Sequence, residues 1–149
     1  MGDKILVAID ESTFSESLVE YALSSCYRDD LEKIVFIHVV EGRVPTRAGW
    51  NINFKEIEPS LEEELLRKFH EMIGSAVEKM KVREIPYELI LKVGEPSSTI
   101  VEVSEKGDFD LIVIGHKGLS NIERFFIGSV AANVVRHAPC SVHVYRPKD

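Results

Sequence analysis

Asp110-Leu111-Ile112-Val113-Ile114-Gly115-His116-Lys117-Gly118, followed after nine residues by Gly128-Ser129 at the head of an apolar helical pattern, is the stretch whose reading decides the fold. An uninterrupted apolar run of this length, bounded by turn residues, has the pattern of a strand buried on both faces, which is the habit of parallel sheets covered by helices. A glycine-punctuated loop then leads from this strand into a helix N-terminus. That arrangement offers backbone N–H groups and the positive end of a helix dipole to a phosphate. One segment therefore speaks for an α/β fold and for a nucleotide.

The same alternation extends in both directions. Lys4 to Ile9 is another continuous apolar run, and Thr13-Phe14-Ser15-Glu16 reads as a capping box opening a helix continued by Leu18, Tyr21, Ala22 and Cys26. Lys33 to Val40 is a second buried strand. A long connection containing Gly42, Pro45, Gly49 and Trp50 runs from Glu41 to about Glu58. Pro59 opens a charged helix ending near Val82, whose apolar stripe comprises Leu61, Leu65, Phe69, Met72, Ile73, Ala76, Val77 and Met80. Tyr87 to Val93 reads as a third strand, turned by Gly94-Glu95-Pro96 into a third helix. Leu111 to Ile114, Val130 to Ala138 and Ser141 to Tyr145 complete the pattern as strand, helix and strand. Five strands interleaved with four helices predict one three-layer α/β/α domain over residues 1–149, with a parallel sheet and right-handed crossovers.

Composition narrows the function. The chain has 149 residues, a net charge of -7 and 44% hydrophobic residues, and no apolar run approaches a membrane span. A soluble, cytoplasmic protein that does not contact the membrane is expected, since the N-terminus lacks a signal-peptide pattern. The acidic balance argues against sequence-independent nucleic-acid binding, while a single mononucleotide needs only a few oriented amides. Cys26 and Cys140 are too far apart in sequence for a metal knuckle. The five histidines show no His-Glu-x-x-His spacing, Ser129 lacks a nucleophile elbow, and the glycine loop lacks the Walker Gly-Lys-Ser/Thr ending. No catalytic residue is assigned and no protein-held metal is expected.

In open parallel sheets ligands bind beyond the strand C-termini, where the strand order reverses. The residues at those ends are Asp10, Glu11 and Ser12 after the first strand, Val39 and Val40 ending the second, Gly94 after the third, and Gly115 to Gly118 after the fourth. The pattern alone leaves the strand order open.

These residues carry a resemblance. The Gly115-x-x-Gly118, nine residues, Gly128-Ser129 pattern resembles the ATP-binding signature of the universal stress protein family. The resemblance is supported by the strand ending in Asp10, by His38-Val39-Val40, Gly94-Glu95-Pro96 and Asp110 to Gly115, and by the closing Pro139-x-Ser141-Val142-x-Val144. It spans almost the whole chain. It implies a Rossmann-like sheet of the adenine-nucleotide alpha hydrolase type, with strand order 3-2-1-4-5. By the same resemblance Ala8, Ile9 and Asp10 lie near ribose and base, and Val39 gives backbone contacts to adenine. Gly115, His116, Lys117 and Gly118 flank ribose and phosphates, while Ser129 with the amides of Gly128 and Val130 holds phosphate oxygens. The ligand it implies is ATP, with Mg²⁺ or Mn²⁺ carried by the phosphates, and the assembly is a homodimer through the last strand, Ser141 to Arg146.

Physical chemistry adds its own expectations. Lack of Cβ at Gly115 and Gly118 permits positive φ and close approach to a ligand. Glu11 stands where many family members have glycine; it would repel a triphosphate, approach its metal, or simply be solvated. Lys117 either neutralises a phosphate or lies solvated in its loop. The loop Arg43 to Phe54, with Trp50, is read as a lid or partner surface, or as an irregular loop tucking in its aromatics. Three functions remain. They are a nucleotide-binding dimeric regulatory module in the stress response with slow or no hydrolysis, an ATP-cleaving or adenylating enzyme of the same class, and a dimeric interaction protein without nucleotide. The first is preferred because a Walker loop and an evident general base are both missing.

Overall fold

Side chains of the first strand alternate between two interiors, and that alternation organises the molecule. Ile5, Val7 and Ile9 belong to one core cluster, Leu6 and Ala8 to the other. The computed structural model describes residues 3–12, 14–26, 31–41, 43–46, 49–52, 57–79, 87–116 and 127–147. In chain order they form β1 (Lys4–Ala8), α1 (Phe14–Tyr21), β2 (Lys33–Val40), β3 (Arg43–Thr46), β4 (Gly49–Ile52), α2 (Pro59–Lys79) and β5 (Tyr87–Val93). Next come α3 (Pro96–Lys106), β6 (Leu111–Gly115), α4 (Ser129–His137) and β7 (Ser141–Tyr145).

Five of the strands make one sheet in the order β5-β2-β1-β6-β7, with every pairing parallel. Counted within the sheet this is 3-2-1-4-5, the order the resemblance implies. Helices α1 and α2 cover the face lined by Ile34, Phe36 and Val113. Ile100 of α3 and Ala131 and Val134 of α4 pack on the other, against Val35, Ile37, Ile112 and Ile114. The α2 stripe is the one read from spacing: Leu65, Phe69, Ile73 and Ala76 are buried at intervals of one helical turn. At the N-terminal edge of the sheet, Asp110 clamps β1 to the start of β6: its Oδ2 accepts from the Lys4 amide at 2.8 Å, and its own amide donates to the Lys4 carbonyl at 2.8 Å.

Two elements differ from expectation. The first helix stops as an α-helix at Tyr21 and continues as a π-type segment, Ala22–Cys26. The long connection after β2 contains an antiparallel hairpin, with Val44 opposite Asn51 and Pro45 opposite Trp50, where an irregular loop was expected. Pairing is a backbone property that needs no hydrophobic alternation, so it left little trace in the sequence. The part of that connection reaching Phe54, and the end of the second helix from Met80 to Val82, lie outside the described residues.

Candidate functional site

The strand order reverses at β1, whose neighbours β2 and β6 are followed by segments leaving to opposite sides. A cavity of about 550 Å³ opens there. Its walls come from the C-terminal ends of these three strands, the turn after β1, and the first residues of α4. Of the residues singled out from sequence, Ala8, Ile9, Asp10, Val39, Gly115, His116, Gly128, Ser129 and Val130 all line it. Lys117 and Gly118 lie outside the described residues.

The turn after β1 is locked by its own polar groups. Asp10 Oδ1 accepts from the Ser12 amide at 2.8 Å and from Ser15 Oγ at 3.0 Å, while the Asp10 amide donates to Ser15 Oγ at 2.8 Å. This Asx-type turn fixes the angle at which α1 leaves the sheet, and it commits one carboxylate oxygen to structure. Glu11 is an ion pair partner: its Oε1 lies 2.9 Å from Lys68 Nζ on α2. The hydrogen bond that Lys68 donates to Glu11 raises the Lys68 pKa. Of the readings left open for Glu11, repulsion of a triphosphate, approach to its metal or solvation, the structure shows a partly exposed carboxylate paired with a lysine. Among the described residues no group of carboxylates, histidines and cysteines is arranged to hold a metal ion.

His38 is a wall residue with a fixed tautomer. Its Nδ1 lies 3.0 Å from the carbonyl of Ile9, which can only accept, so Nδ1 carries the proton; the ring packs against Phe69 with centroids 4.8 Å apart. The reading of strand histidines as packed and hydrogen-bonded groups fits this residue.

Gly115 ends β6 in extended backbone, and among the described residues the one glycine with positive φ is Gly94. Positive φ was therefore the wrong reason for glycine at 115. At Gly94 the requirement is space: a Cβ would sit 2.6 Å from Thr99 Oγ1, and the Gly94 amide ties β5 to the end of β2 through the Val40 carbonyl at 3.0 Å.

The two helices on one face of the sheet begin differently. Glu95 caps α3, accepting from the amides of Ser97 at 3.1 Å and Ser98 at 2.8 Å. Burial disfavours its charge, but the donors of Ser98 and Ser97 outweigh that and hold the carboxyl down at about 2. The N-cap of α4 is Gly128, and no side chain caps it. The first helical bond runs from the Ala132 amide to the Gly128 carbonyl at 2.9 Å, which leaves the amides of Ser129, Val130 and Ala131 without an intrahelical partner. All three residues border the cavity. The Gly128 amide, expected to hold phosphate, donates instead to the His116 carbonyl. His116 in turn donates its amide to the Tyr145 carbonyl at 2.9 Å, so the α4 terminus is anchored to β7 through two backbone bonds.

One residue escaped the sequence reading: Ala131, as a third amide at the α4 terminus. Ser12 was named at the end of the first strand; the structure adds that it is 8% exposed and that its Oγ is buried without a hydrogen-bond partner.

Comparison with known proteins agrees with this architecture. The model of the universal stress protein family matches residues 1–146. A protein of Staphylococcus aureus named as a universal stress protein is 33% identical over 147 residues, covering 97% of this chain and 84% of its own. Two solved structures share the fold. The universal stress protein from Archaeoglobus fulgidus in complex with dAMP has a TM-score of 0.64 at 22% identity, covering 97% of this chain and 98% of its own. A family member from Arabidopsis thaliana with AMP bound has a TM-score of 0.63 at 21% identity, covering 98% and 92%. With the sheet order, the glycine pattern and a family match across nearly its full length, this chain belongs to the universal stress protein family.

Proposed function

We propose that this chain binds an adenine nucleotide in the cavity at the end of β1, with phosphate on the amides of Ser129, Val130 and Ala131 and the Ser129 hydroxyl. The observation that carries this reading is the uncapped start of α4: three unspent amides and the positive end of a helix dipole open onto a cavity of ligand size. The AMP and dAMP held by the two structural neighbours support the same ligand class. Ala8, Ile9 and Asp10 form the floor under ribose and base, and Val39 and Val40 the edge facing adenine. Gly115 and His116, with Lys117 and Gly118 beyond them, flank the phosphates.

ATP is the natural triphosphate for this site, and its Mg²⁺ would ride on the phosphates, since Asp10 Oδ1 is engaged in the turn and Glu11 with Lys68. With Asp10 Oδ1 and Glu11 so engaged and no Walker loop in the sequence, the site reads as one that holds nucleotide and turns it over slowly, in a cytoplasmic regulatory module. A homodimer through Ser141 to Arg146 fits β7, the outermost strand beyond β6, none of whose residues is fully buried within one chain. The hairpin after β2 remains a surface for a protein partner.

The test is a calorimetric titration of the purified chain with AMP and with ATP-Mg, together with mass spectrometry of any nucleotide released on denaturation. Saturable binding of either, without brisk release of inorganic phosphate, is the expected outcome. No heat and no released nucleotide would leave a dimeric interaction protein as the better reading.

A further inference from the structure

The two edges of β2 end differently. In a parallel ladder alternate residues of a strand turn their amide and carbonyl to opposite neighbours. The Ile37 carbonyl accepts from the Ile9 amide at 2.9 Å, so Ile37 and, two residues on, Val39 direct these groups toward β1; the Val40 carbonyl accepts from the Gly94 amide at 3.0 Å, so Val40 directs its own toward β5. On the β5 side the pairing runs to the last residue of the strand, Val40 opposite Val93. On the β1 side it stops short. The last register pair there is Ala8 with Ile37, and the next bond of such a ladder, from the Val39 amide to the Ile9 carbonyl, is not made. His38 is the reason. Its Nδ1 donates to that same Ile9 carbonyl at 3.0 Å, from a ring held against Phe69. Ile9 is buried, and a buried carbonyl takes a partner; here an imidazole stands where the neighbouring strand's amide would.

The consequence falls on Val39. Among the described residues its amide and carbonyl have no backbone partner, they are directed into the space beyond the end of β1, and Val39 lines the cavity that lies there. A backbone donor beside a backbone acceptor suits a base edge that offers an acceptor beside a donor. Adenine does so at N1 and its 6-amino group, whereas hypoxanthine, otherwise the same purine, has the two roles exchanged. We infer that His38 is a positioning residue for base selection: by holding the Ile9 carbonyl it keeps the Val39 amide free for adenine N1 and the Val39 carbonyl free for the 6-amino group. His38 acts through Val39 and does not touch the base. This rests on the nucleotide reading proposed above.

The test titrates AMP and IMP into wild type, into His38→Leu, which keeps an apolar group against Phe69 and cannot donate, and into His38→Asn, whose side-chain amide can donate to the Ile9 carbonyl. In each nucleotide-free protein, labelled with ¹³C and ¹⁵N, the scalar coupling across a hydrogen bond reports whether the Val39 amide is paired with the Ile9 carbonyl, with the bonded pairs of the same sheet as the control. Wild type should prefer AMP to IMP and show no Val39–Ile9 coupling. His38→Leu should show that coupling, because the amide closes on the vacated carbonyl, and should bind AMP roughly 3- to 10-fold more weakly, the worth of one neutral hydrogen bond, with IMP little changed. His38→Asn should restore both the open amide and the preference. The inference falls if the coupling is already present in wild type, if His38→Leu keeps an open amide and the full preference for AMP, or if His38→Asn loses the preference as His38→Leu does. Should His38→Leu not fold, the wild-type coupling decides: its presence overturns the inference, and its absence, together with a Val39 amide that shifts on addition of AMP, supports it. If wild type binds neither nucleotide, the nucleotide reading itself falls and takes this one with it; binding of both without preference overturns the His38 assignment alone.

Discussion

Helices α3 and α4 pack side by side on one face of the sheet, and both start at the ends of parallel strands, yet one terminus is closed and the other open. At α3 the Glu95 carboxylate answers the amides of Ser97 and Ser98, and Ser97 Oγ adds a third donor at 2.9 Å. At α4 the cap is Gly128, the first turn holds no acidic residue, and the three residues that open the helix border a cavity. A helix dipole attracts negative charge wherever it ends. The difference is that the protein supplies that charge at α3 and leaves it to a ligand at α4. A capped terminus contributes stability in every state of the molecule, whereas an uncapped one contributes mainly when the ligand arrives.

Supplying α4 with its own carboxylate should break that contrast most strongly. Ser129 is exposed at the first helical position, where an aspartate suits the dipole. Ser129→Asp should leave thermal stability unchanged or raise it by about 0.5 kcal/mol. It should weaken nucleotide binding roughly 10- to 100-fold, through loss of charge-assisted hydrogen bonds and repulsion of phosphate. Calorimetry paired with a thermal melt reads both. Weakened binding in a destabilised protein would be mere damage; weakened binding in a protein at least as stable marks a terminus kept open for a ligand.

Opening α3 should have the smaller and opposite effect. Glu95→Ala should cost about 1 kcal/mol of stability, the usual worth of an N-cap, without changing nucleotide affinity. The loss should depend on pH in a definite sense. The folded state lowers the Glu95 carboxyl from an ordinary value near 4.5 to about 2, so the charged form is the one folding favours. Its contribution is complete above the unfolded value and fades as pH falls through 4.5 toward 2. Denaturation of wild type and Glu95→Ala across that range should show the stability gap closing on acidification; a gap that widened would contradict the cap.

The closed terminus and the open one were not equally legible in the sequence. Continuous apolar runs such as Lys4 to Ile9 and Leu111 to Ile114 announce parallel strands because burial on both faces removes the polar alternation. Gly128-Ser129 after such a strand announces an anion-binding helix start. The Glu95 cap was not read, although Pro96 at the first helical position was, since glutamate is not among the residues that ordinarily cap helices. Contacts between distant segments were beyond reach. The pairing of Glu11 with Lys68 joins residues 57 apart, and the capture of the Gly128 amide by the His116 carbonyl joins the end of β6 to the start of α4. The antiparallel pair Arg43–Thr46 and Gly49–Ile52 hid because the sequence between the two strands lacks the Asn-Gly or Asp-Gly signal of a short hairpin. Ser12 became conspicuous only when packing had buried its hydroxyl and left it unmatched.

The most direct measurement is the response of backbone amides to nucleotide, followed residue by residue in ¹⁵N-labelled protein titrated with AMP. The amide resonances of Ser129, Val130 and Ala131 should move most and saturably, with those of Ser97 and Ser98 unmoved behind the Glu95 carboxylate. Saturable shifts centred on Ser97 and Ser98, or none at the start of α4, would contradict the claim that the open terminus is the site.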